Sequence, residues 1–513
     1  MAGYKVLVTT SGIGSRLGEL TNYTNKCLIR VSDKPAISYI IESYPEDTEF
    51  VVSLGYYGSH VRQFCELAYP NKSITFIEID KYEGEGSSLG YSILQCKQEL
   101  QCPFIFHASD TILEGTRTMI PEFNYVIGAR KKESSEYRML RLNSEHKLAK
   151  IHEQGELDFE LSYVGAAGIK DFELFFLNLE KLINNNHHDT ADVHVINEML
   201  PEVDFTCIET EGWHDTGNTT ELYRARKKFE STIKVLDKKG ESTFLFDDFV
   251  IKFFSDAEIN QNRVDRVKEL EGLAPEIISS TENFYKYKKA EGQLFSKSVN
   301  EKSFQRFLQW AKDNLWEPRE VDEFYSECID FYVNKTEKRI SDFLGGVDDV
   351  QQEINGELIP PVNELLSKVD TEWLCTGVPV RFHGDFILDN IIETQDGFCL
   401  IDWRQDFGGN LSAGDIYYDL AKLNHNLMVN HSIVDRKLFD QSSKNCHILC
   451  SSTLIRCREL LHKFIVDNGY DLRKVEVLSS IIWLNMSPLH DHPFDNFLFT
   501  FGKFKLYKAI HAP

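Results

Sequence analysis

Residues 4–10, YKVLVTT, make a short apolar, β-branched run that stops at Ser11 and Gly12. A run of that length followed at once by a glycine turn predicts a buried strand delivering its end to a loop. Apolar runs of the same kind recur at 50–54, 74–79, 104–107 and 125–129, with helical patterns at 36–43, 58–68 and 88–99 between several of them. Strand and helix in alternation predict an α/β sheet, with ligands at the carboxyl ends of its strands.

At 513 residues the chain is too long for one core and predicts two or more domains. Its formal charge of −24 argues against nucleic acid or an anionic membrane surface as a partner, since both are bound through clustered Lys and Arg. Nucleotides stay possible, because backbone amides, a few cations and Mg²⁺ suffice. The 11 cysteines show no CxxC pair and no zinc-ligand spacing, which suits free thiols in a cytosolic protein. No signal-peptide pattern opens the sequence, and no run reaches the ~18 apolar residues a membrane span needs. The expectation is a cytoplasmic enzyme without membrane insertion, its oligomeric state open.

Gly12 and Gly14 permit a tight turn whose amides, from Gly12 through Ile13 to Ser15, can face phosphate oxygens, and Arg16 and Lys26 add positive charge. The spacing GxGxRL, then Lys26, then Lys34-Pro35, resembles the signature of the nucleotidyltransferases that make nucleotide-sugars and CDP-alcohols. KYEGEGSSLGYSI (81–93) resembles that family's base-binding segment, FIFHASD (104–110) the strand ending in a metal-binding aspartate, YVGAAGI (163–169) the acceptor side, and GWHDTGNTTELYRA (212–225) the second metal motif. The resemblance implies nucleotide contacts at Gly12, Ile13, Gly14, Ser15, Gly86 and Ser87. It implies Mg²⁺ on Asp110 and Asp215, charge stabilisation by Lys26 and Arg16, and acceptor contacts at Glu153 and Gly168. Two departures stand out. Asn25 replaces the usual proline, and Glu153-Gln154-Gly155 replaces Glu-Lys-Pro, which leaves Lys147, Lys150 and Lys170 as alternatives for the missing lysine.

The second half begins near residue 233, in the charged stretch 223–241. Residues 243–246 and 249–254 read as adjacent strands joined by Asp247-Asp248, with Lys252 inside VIKFF. NFYKYKKAEGQLF (283–295) reads as a strand and a glycine-containing hinge. Phe304, Phe307, Leu308 and Ala311 then open a helical region reaching 374, and residues 425–513 look helical throughout. HGDFILDN (383–390), LIDW (400–403) and GDIYYDLAKL (414–423) follow. This order resembles the aminoglycoside phosphotransferase and choline kinase superfamily. The resemblance implies that Asp385 orients or deprotonates an acceptor hydroxyl, that Asn390 and Asp402 hold Mg²⁺, and that Lys252, Ser242 (in the turn 237–242) and Glu291 meet ATP. His383 would brace the loop, and Glu258 and Glu269 both compete for the role of lysine partner. Trp403, counted as substrate-binding, joins Phe407, Tyr417 and Tyr418 either in a cation–π box for an ammonium acceptor or, the favoured reading, in the helical core. His490-Asp491-His492 and His187-His188 read as loop histidines.

The expected architecture is α/β: a Rossmann-like nucleotidyltransferase domain at 1–232, then a bilobal protein-kinase-like α+β domain at 233–513. The expected activity is bifunctional. ATP phosphorylates a small alcohol or sugar, and a second NTP, CTP or UTP favoured, converts the phosphomonoester to a CDP-alcohol or NDP-sugar for surface glycan or lipid synthesis. The alternative keeps one catalytic domain and makes the other a regulatory or ligand-binding module.

Overall fold

The computed structural model describes residues 3–115, 120–130, 135–155, 159–185, 189–229, 239–346, 348–440, 442 and 444–511. Two compact units emerge: Met1–Ala257 with Ser279–Lys286, and Glu258–Ile278 with Tyr287–Pro513. The expected boundary at 232/233, the start of the turn 237–242 and the pair His187-His188 lie outside the described residues.

The first unit is built on a mixed sheet. Its strands are β1 (Lys5–Thr9), β2 (Glu49–Leu54), β3 (Ile74–Glu78), β4 (Phe104–Ala108), β6 (Tyr125–Ala129), β7 (Met139–Leu142), β8 (Leu148–His152), β9 (Leu161–Ile169) and β10 (Thr206–Thr210), with β5 (Thr111–Leu113) outside it. The order is β10-β6-β9-β4-β1-β2-β3, with β7 and β8 attached at β9. β1 pairs parallel with β2 and β4, and β9 runs antiparallel between β4 and β6. Successive side chains on a strand face opposite sides, and here both sides are apolar. Leu7, Val51, Phe104 and Phe106 enter one buried cluster with Phe175, Phe176 and Val195. Val6, Val8, Phe50, Val52 and Ile105 enter the other, with Ile37, Ile40 and Phe64. The chain leaves β1 to one side for β2 and returns on the other side as β4, so a crevice opens beyond the carboxyl ends of β1 and β4. β11 (Trp213–Asp215) pairs with β5 in the register Asp215↔Thr111, which sets Asp215 beside Asp110.

Antiparallel strands β12 (Glu241–Leu245) and β13 (Phe249–Phe254) also belong to this unit. Their apolar face, Phe244, Ile251 and Phe253, is buried in the second cluster. Phe64 meets Phe244 at 5.2 Å between ring centroids, and His60 meets Phe253 at 5.0 Å. Both partners sit on the helix Gly58–Ala68. Burying such side chains is worth ~1.5–3 kcal/mol each, which is why the hairpin goes with the sheet before it.

In the second unit, helices Glu301–Asn314, Ile416–Asn426, Ser452–Asp467, Leu472–Met486 and Phe494–Ile510 supply the bulk. Phe304, Phe307, Leu308 and Ala311 are all buried, as the 3.6-residue spacing anticipates. The stretch 301–374 is not wholly helical. Gln352–Ile354 and Glu357–Ile359 form a hairpin turned by Asn355 (φ 51°) and Gly356 (φ 79°). Asn-Gly is the favoured pair for such a turn, so the signal was present in the sequence. A second hairpin, Ile391–Glu393 with Phe398–Leu400, carries Asn390 just before it and Asp402 just after it. Among the described residues no helix is long and apolar enough to cross a membrane.

His107 reports on the integrity of the first unit. It is fully buried, its Nδ1 accepting from the Tyr44 hydroxyl at 2.8 Å and its Nε2 donating to the Thr111 carbonyl at 2.9 Å. Burial pushes its pKa from 6.5 down to about 4. The unfolded chain takes up this proton near the ordinary value while the folded one resists, so stability is lost as pH falls through that window. The ceiling is about 3 kcal/mol. The unfolding midpoint is expected to drop between pH 6.5 and 4, and His107→Gln to flatten that slope in part, since burial also holds His60 and His383 down to about 4; an unchanged slope would show that His107 does not contribute to it.

Candidate active sites

The first site grows from the turn after β1. Gly14 has φ 73°, and a Cβ there would lie 2.9 Å from Lys26 Cβ, so glycine is what lets the turn close against the lysine stem. Gly12, Ile13 and Ser15 are partly or fully exposed around it, as is Arg16 at the head of the 3₁₀ turn Ser15–Thr21. Buried Asn25 holds the turn from behind. Its amide donates to the carbonyls of Thr10 (2.7 Å) and Tyr56 (2.6 Å), and its oxygen accepts from Cys27 N (3.0 Å). Asn25 is therefore a three-way brace beside Lys26.

Lys26 Nζ reaches Asp110 Oδ2 at 2.8 Å. Gly217 marks the centre of the site: a Cβ there would lie 2.9 Å from Asp110 Oδ2, 3.0 Å from Asp215 Oδ1 and 3.2 Å from Arg16 Nη2. Asp215 accepts from Gly217 N at 2.7 Å and from the Tyr137 hydroxyl at 3.1 Å. Burial pushes Asp110 up, but Lys26 and then Arg16 outweigh it and leave its carboxyl below the usual range. Burial and the neighbouring Asp110 charge push Asp215 above it. Two carboxylates facing one point, one of them short of compensation, suit a divalent cation. Among the described residues no group of three or more His, Cys, Asp or Glu could cage a metal. A pair of aspartates fits Mg²⁺ completed by phosphate oxygens and water.

The remaining sequence candidates disperse. Gly86 (φ 84°) and Ser87 lie on a turn ahead of the helix Leu89–Gln95, Ser87 Oγ donating to Gly84 O at 2.7 Å. Gly168 is buried under Tyr125, whose ring a Cβ would strike at 2.1 Å, so packing against that ring requires glycine there. Gly165, in the same motif with φ 81° and beside Ala108 and Thr111, is the one nearer the aspartates. Glu153 is exposed and paired with Arg138 (3.1 Å) and His194 (2.9 Å). Lys147 is taken up by Asp204 at 2.7 Å, and Lys150 and Lys170 are exposed. Arg138, Gly165 and Gly217 were not singled out from the sequence; only the first glycine of YVGAAGI could have raised a question.

Lys252 is buried on β13, donating across the hairpin to Thr243 Oγ1 at 2.8 Å, with Ser242 one register step away opposite Phe253. The second unit assembles the other group. His383 N and Gly384 N donate to Asp419 at 2.9 and 2.7 Å, and burial raises Asp419 to about 6. His383 is buried, Nδ1 accepting from Asp385 N and Nε2 donating to Ile401 O, with burial pushing its pKa down to about 4. That geometry makes it a neutral brace. Buried Arg266 donates to the carbonyls of Phe382, His383 and Arg404 and stacks 3.8 Å over the Phe382 ring. Asp385 is held by Lys422 (2.7 Å) and by the Asn390 amide (3.0 Å), and Asp402 sits at φ 57°, a strained position for a non-glycine residue. Asn390 and Asp402 supply oxygen atoms of the kind Mg²⁺ prefers. Lys422, Arg266 and Asp419 escaped the sequence reading.

Glu291 is exposed, and Glu269 is ion-paired to Arg319 at 3.2 Å. Trp403 has no exposed surface, and its indole donates to Arg263 O at 2.9 Å, so it is core and not acceptor contact. Phe407, Tyr417 and Tyr418 are buried too, in line with the favoured reading.

No family model matches the sequence. Bifunctional protein GlmU of Methanococcus vannielii is 22% identical over 234 residues, 44% of this chain and 55% of that protein. Choline-phosphate cytidylyltransferase of Streptococcus pneumoniae is 25% identical over 112 residues, 21% of this chain and 46% of that protein. The solved CTP:phosphocholine cytidylyltransferase from Streptococcus pneumoniae is 18% identical, covering 44% of this chain and 99% of its own, with a TM-score of 0.39. The N-terminal half is a nucleotidyltransferase-like domain. The chain spans about half the length of the curated relatives it matches.

Asn25→Ala strands the buried Thr10 carbonyl, the half-buried Tyr56 carbonyl and the Cys27 N–H, and a lost buried partner costs ~1–3 kcal/mol. The full chain is expected to unfold at lower urea by that amount, and an unchanged midpoint would show that Asn25 does not brace the turn.

Proposed function

We propose that the first unit transfers a nucleotidyl group from an NTP to a phosphomonoester, and that the second unit makes the phosphomonoester from a small alcohol or sugar and ATP. The convergence of Lys26, Asp110, Asp215 and Arg16 at Gly217 carries the first half of this reading. A phosphate oxygen of the acceptor attacks the α-phosphorus, the bond to the β,γ-diphosphate breaks, and pyrophosphate leaves. Two anions must approach. Lys26 stabilises charge at the α-phosphate, while Arg16 and the amides of the glycine turn hold the departing pyrophosphate. Mg²⁺ on Asp110 and Asp215 would screen the repulsion. The similarity to choline-phosphate cytidylyltransferase supports CTP as the nucleotide and a CDP-alcohol as product; UTP and an NDP-sugar are the other pair.

The loop from His383 to Asn390 supports the second half. Asp385, oriented by Lys422 and Asn390, accepts the proton of an acceptor hydroxyl as its oxygen attacks the γ-phosphorus and ADP leaves. In series, the product of one reaction is the substrate of the other. The braces on Asp385 weigh against a second unit that only binds or regulates.

Asp110→Ala and Asp215→Ala should each abolish nucleotidyl transfer from supplied phosphomonoester, without rescue by more nucleotide. Asp385→Asn should slow phosphorylation of the free acceptor ~10²–10⁴-fold and leave nucleotidyl transfer intact. Near-normal turnover in the aspartate variants, or loss of both activities in folded Asp385→Asn, would overturn the assignment.

A further inference from the structure

Next to Lys422, the residue that holds Asp385, the second unit gathers cations that the reading above leaves unused. Lys335 Nζ lies 3.7 Å from the centre of the Phe331 ring and 6.0 Å from that of Tyr418. The Arg404 guanidinium stands 4.8 Å from the same Phe331 ring. Arg339 is close enough for its charge to bear on Lys335, as are Arg404 and Lys422, and Lys422 itself holds Asp385. Only Lys422 has a carboxylate partner. Arg339 donates to the Asn485 carbonyl and Arg404 Nε to the Asp406 backbone carbonyl, and among the described residues no Asp or Glu carboxylate oxygen comes within 4.0 Å of Lys335, Arg339 or Arg404.

Three partly buried cations without a carboxylate repel one another, and a chain of net charge −24 has no shortage of acids to place there. Burial, then Arg404, Arg339 and Lys422, push the Lys335 pKa well below its ordinary value, and the charge of Asp406, which offers Lys335 no contact within 4.0 Å, does not offset them; a bound anion reverses that. The Phe331 ring that a quaternary ammonium would need is already approached by both Lys335 and Arg404. An ammonium acceptor would add a further positive charge to this group.

We infer that Lys335, Arg339 and Arg404 form an anion subsite beside Asp385, so that the alcohol phosphorylated by the second unit carries a carboxylate or a phosphate. The inference rests on the kinase reading for its chemistry: the hydroxyl oxygen bonds to the γ-phosphorus, the γ-phosphorus bond to ADP breaks, and the proton goes to Asp385. The acidic group is bound and unchanged.

Two measurements on the full chain test it. In the first, ATP-dependent phosphorylation is compared for glycerate against glycerol and gluconate against sorbitol. The acidic member of each pair is expected to be preferred at least ~10-fold, since a paired charge-assisted contact is worth ~1.5–3 kcal/mol. Lys335→Gln should raise KM for the acid ~10-fold with KM for ATP unchanged, and Lys335→Arg should restore it. Preference for the neutral member or for choline, or a rise confined to the ATP KM, overturns the subsite. The second needs no turnover: sulfate is expected to raise the unfolding temperature of the wild-type chain more than that of Lys335→Gln or Arg404→Gln. If no acceptor is phosphorylated yet this difference stands, the kinase reading fails and the anion subsite survives. An equal response of all three chains rejects it.

Discussion

Asp110, two residues past the end of β4, and Asp215, the last residue of β11, are brought to one point where a glycine is the residue between them, so like charges are held together at the crevice beyond β1 and β4. That repulsion organises the rest of the first site. Lys26 neutralises Asp110 directly, Arg16 faces both across Gly217, and Asp215 is left with its pKa raised. The turn around Gly14 and the brace of Asn25 exist, in physical terms, to hold one lysine where it can meet one carboxylate. A site balanced in this way is ready for a ligand that brings both a cation and more negative charge, as a magnesium nucleotide does.

The second unit solves a similar problem with different parts. A buried carboxylate, Asp419, accepts two backbone N–H groups and so shapes the turn at His383 and Gly384. A buried guanidinium, Arg266, collects the carbonyls on the other side of the same loop. Asp385 is then oriented by Lys422 and Asn390 rather than by chance of rotamer. Orientation of this kind is set by the buried groups packed behind the loop.

Much of this was legible before any coordinates. The strand at 4–10, the glycine turn, the strand ending at Asp110 and the HGD loop all rest on local pattern: apolar period, turn residues and motif order. Asn355-Gly356 shows that a hairpin signal was missed, not missing. Trp403 and Gly168 turn out to be packed in the interior, which the sequence did not show. Each lies in a motif with a functional residue nearby, and motif membership does not say which member faces the ligand. Burial of the indole at Trp403 and the Tyr125 ring against Gly168 decide that, and both depend on contacts far apart in sequence.

The sequence by itself determined the kinds of element, their order and the residue types able to handle phosphate, because these follow from periodicity and side-chain chemistry along a short stretch of chain. Tertiary structure decided which of them meet. It set Gly217 between two aspartates, gave the hairpin at 241–254 to the first unit through Phe244 and Phe253, and collected Lys335, Arg339 and Arg404 from two separate segments. The physical reason is range. Propensity and turn chemistry act over a few residues, whereas electrostatic balance and packing are set by whatever the fold brings within a few ångströms.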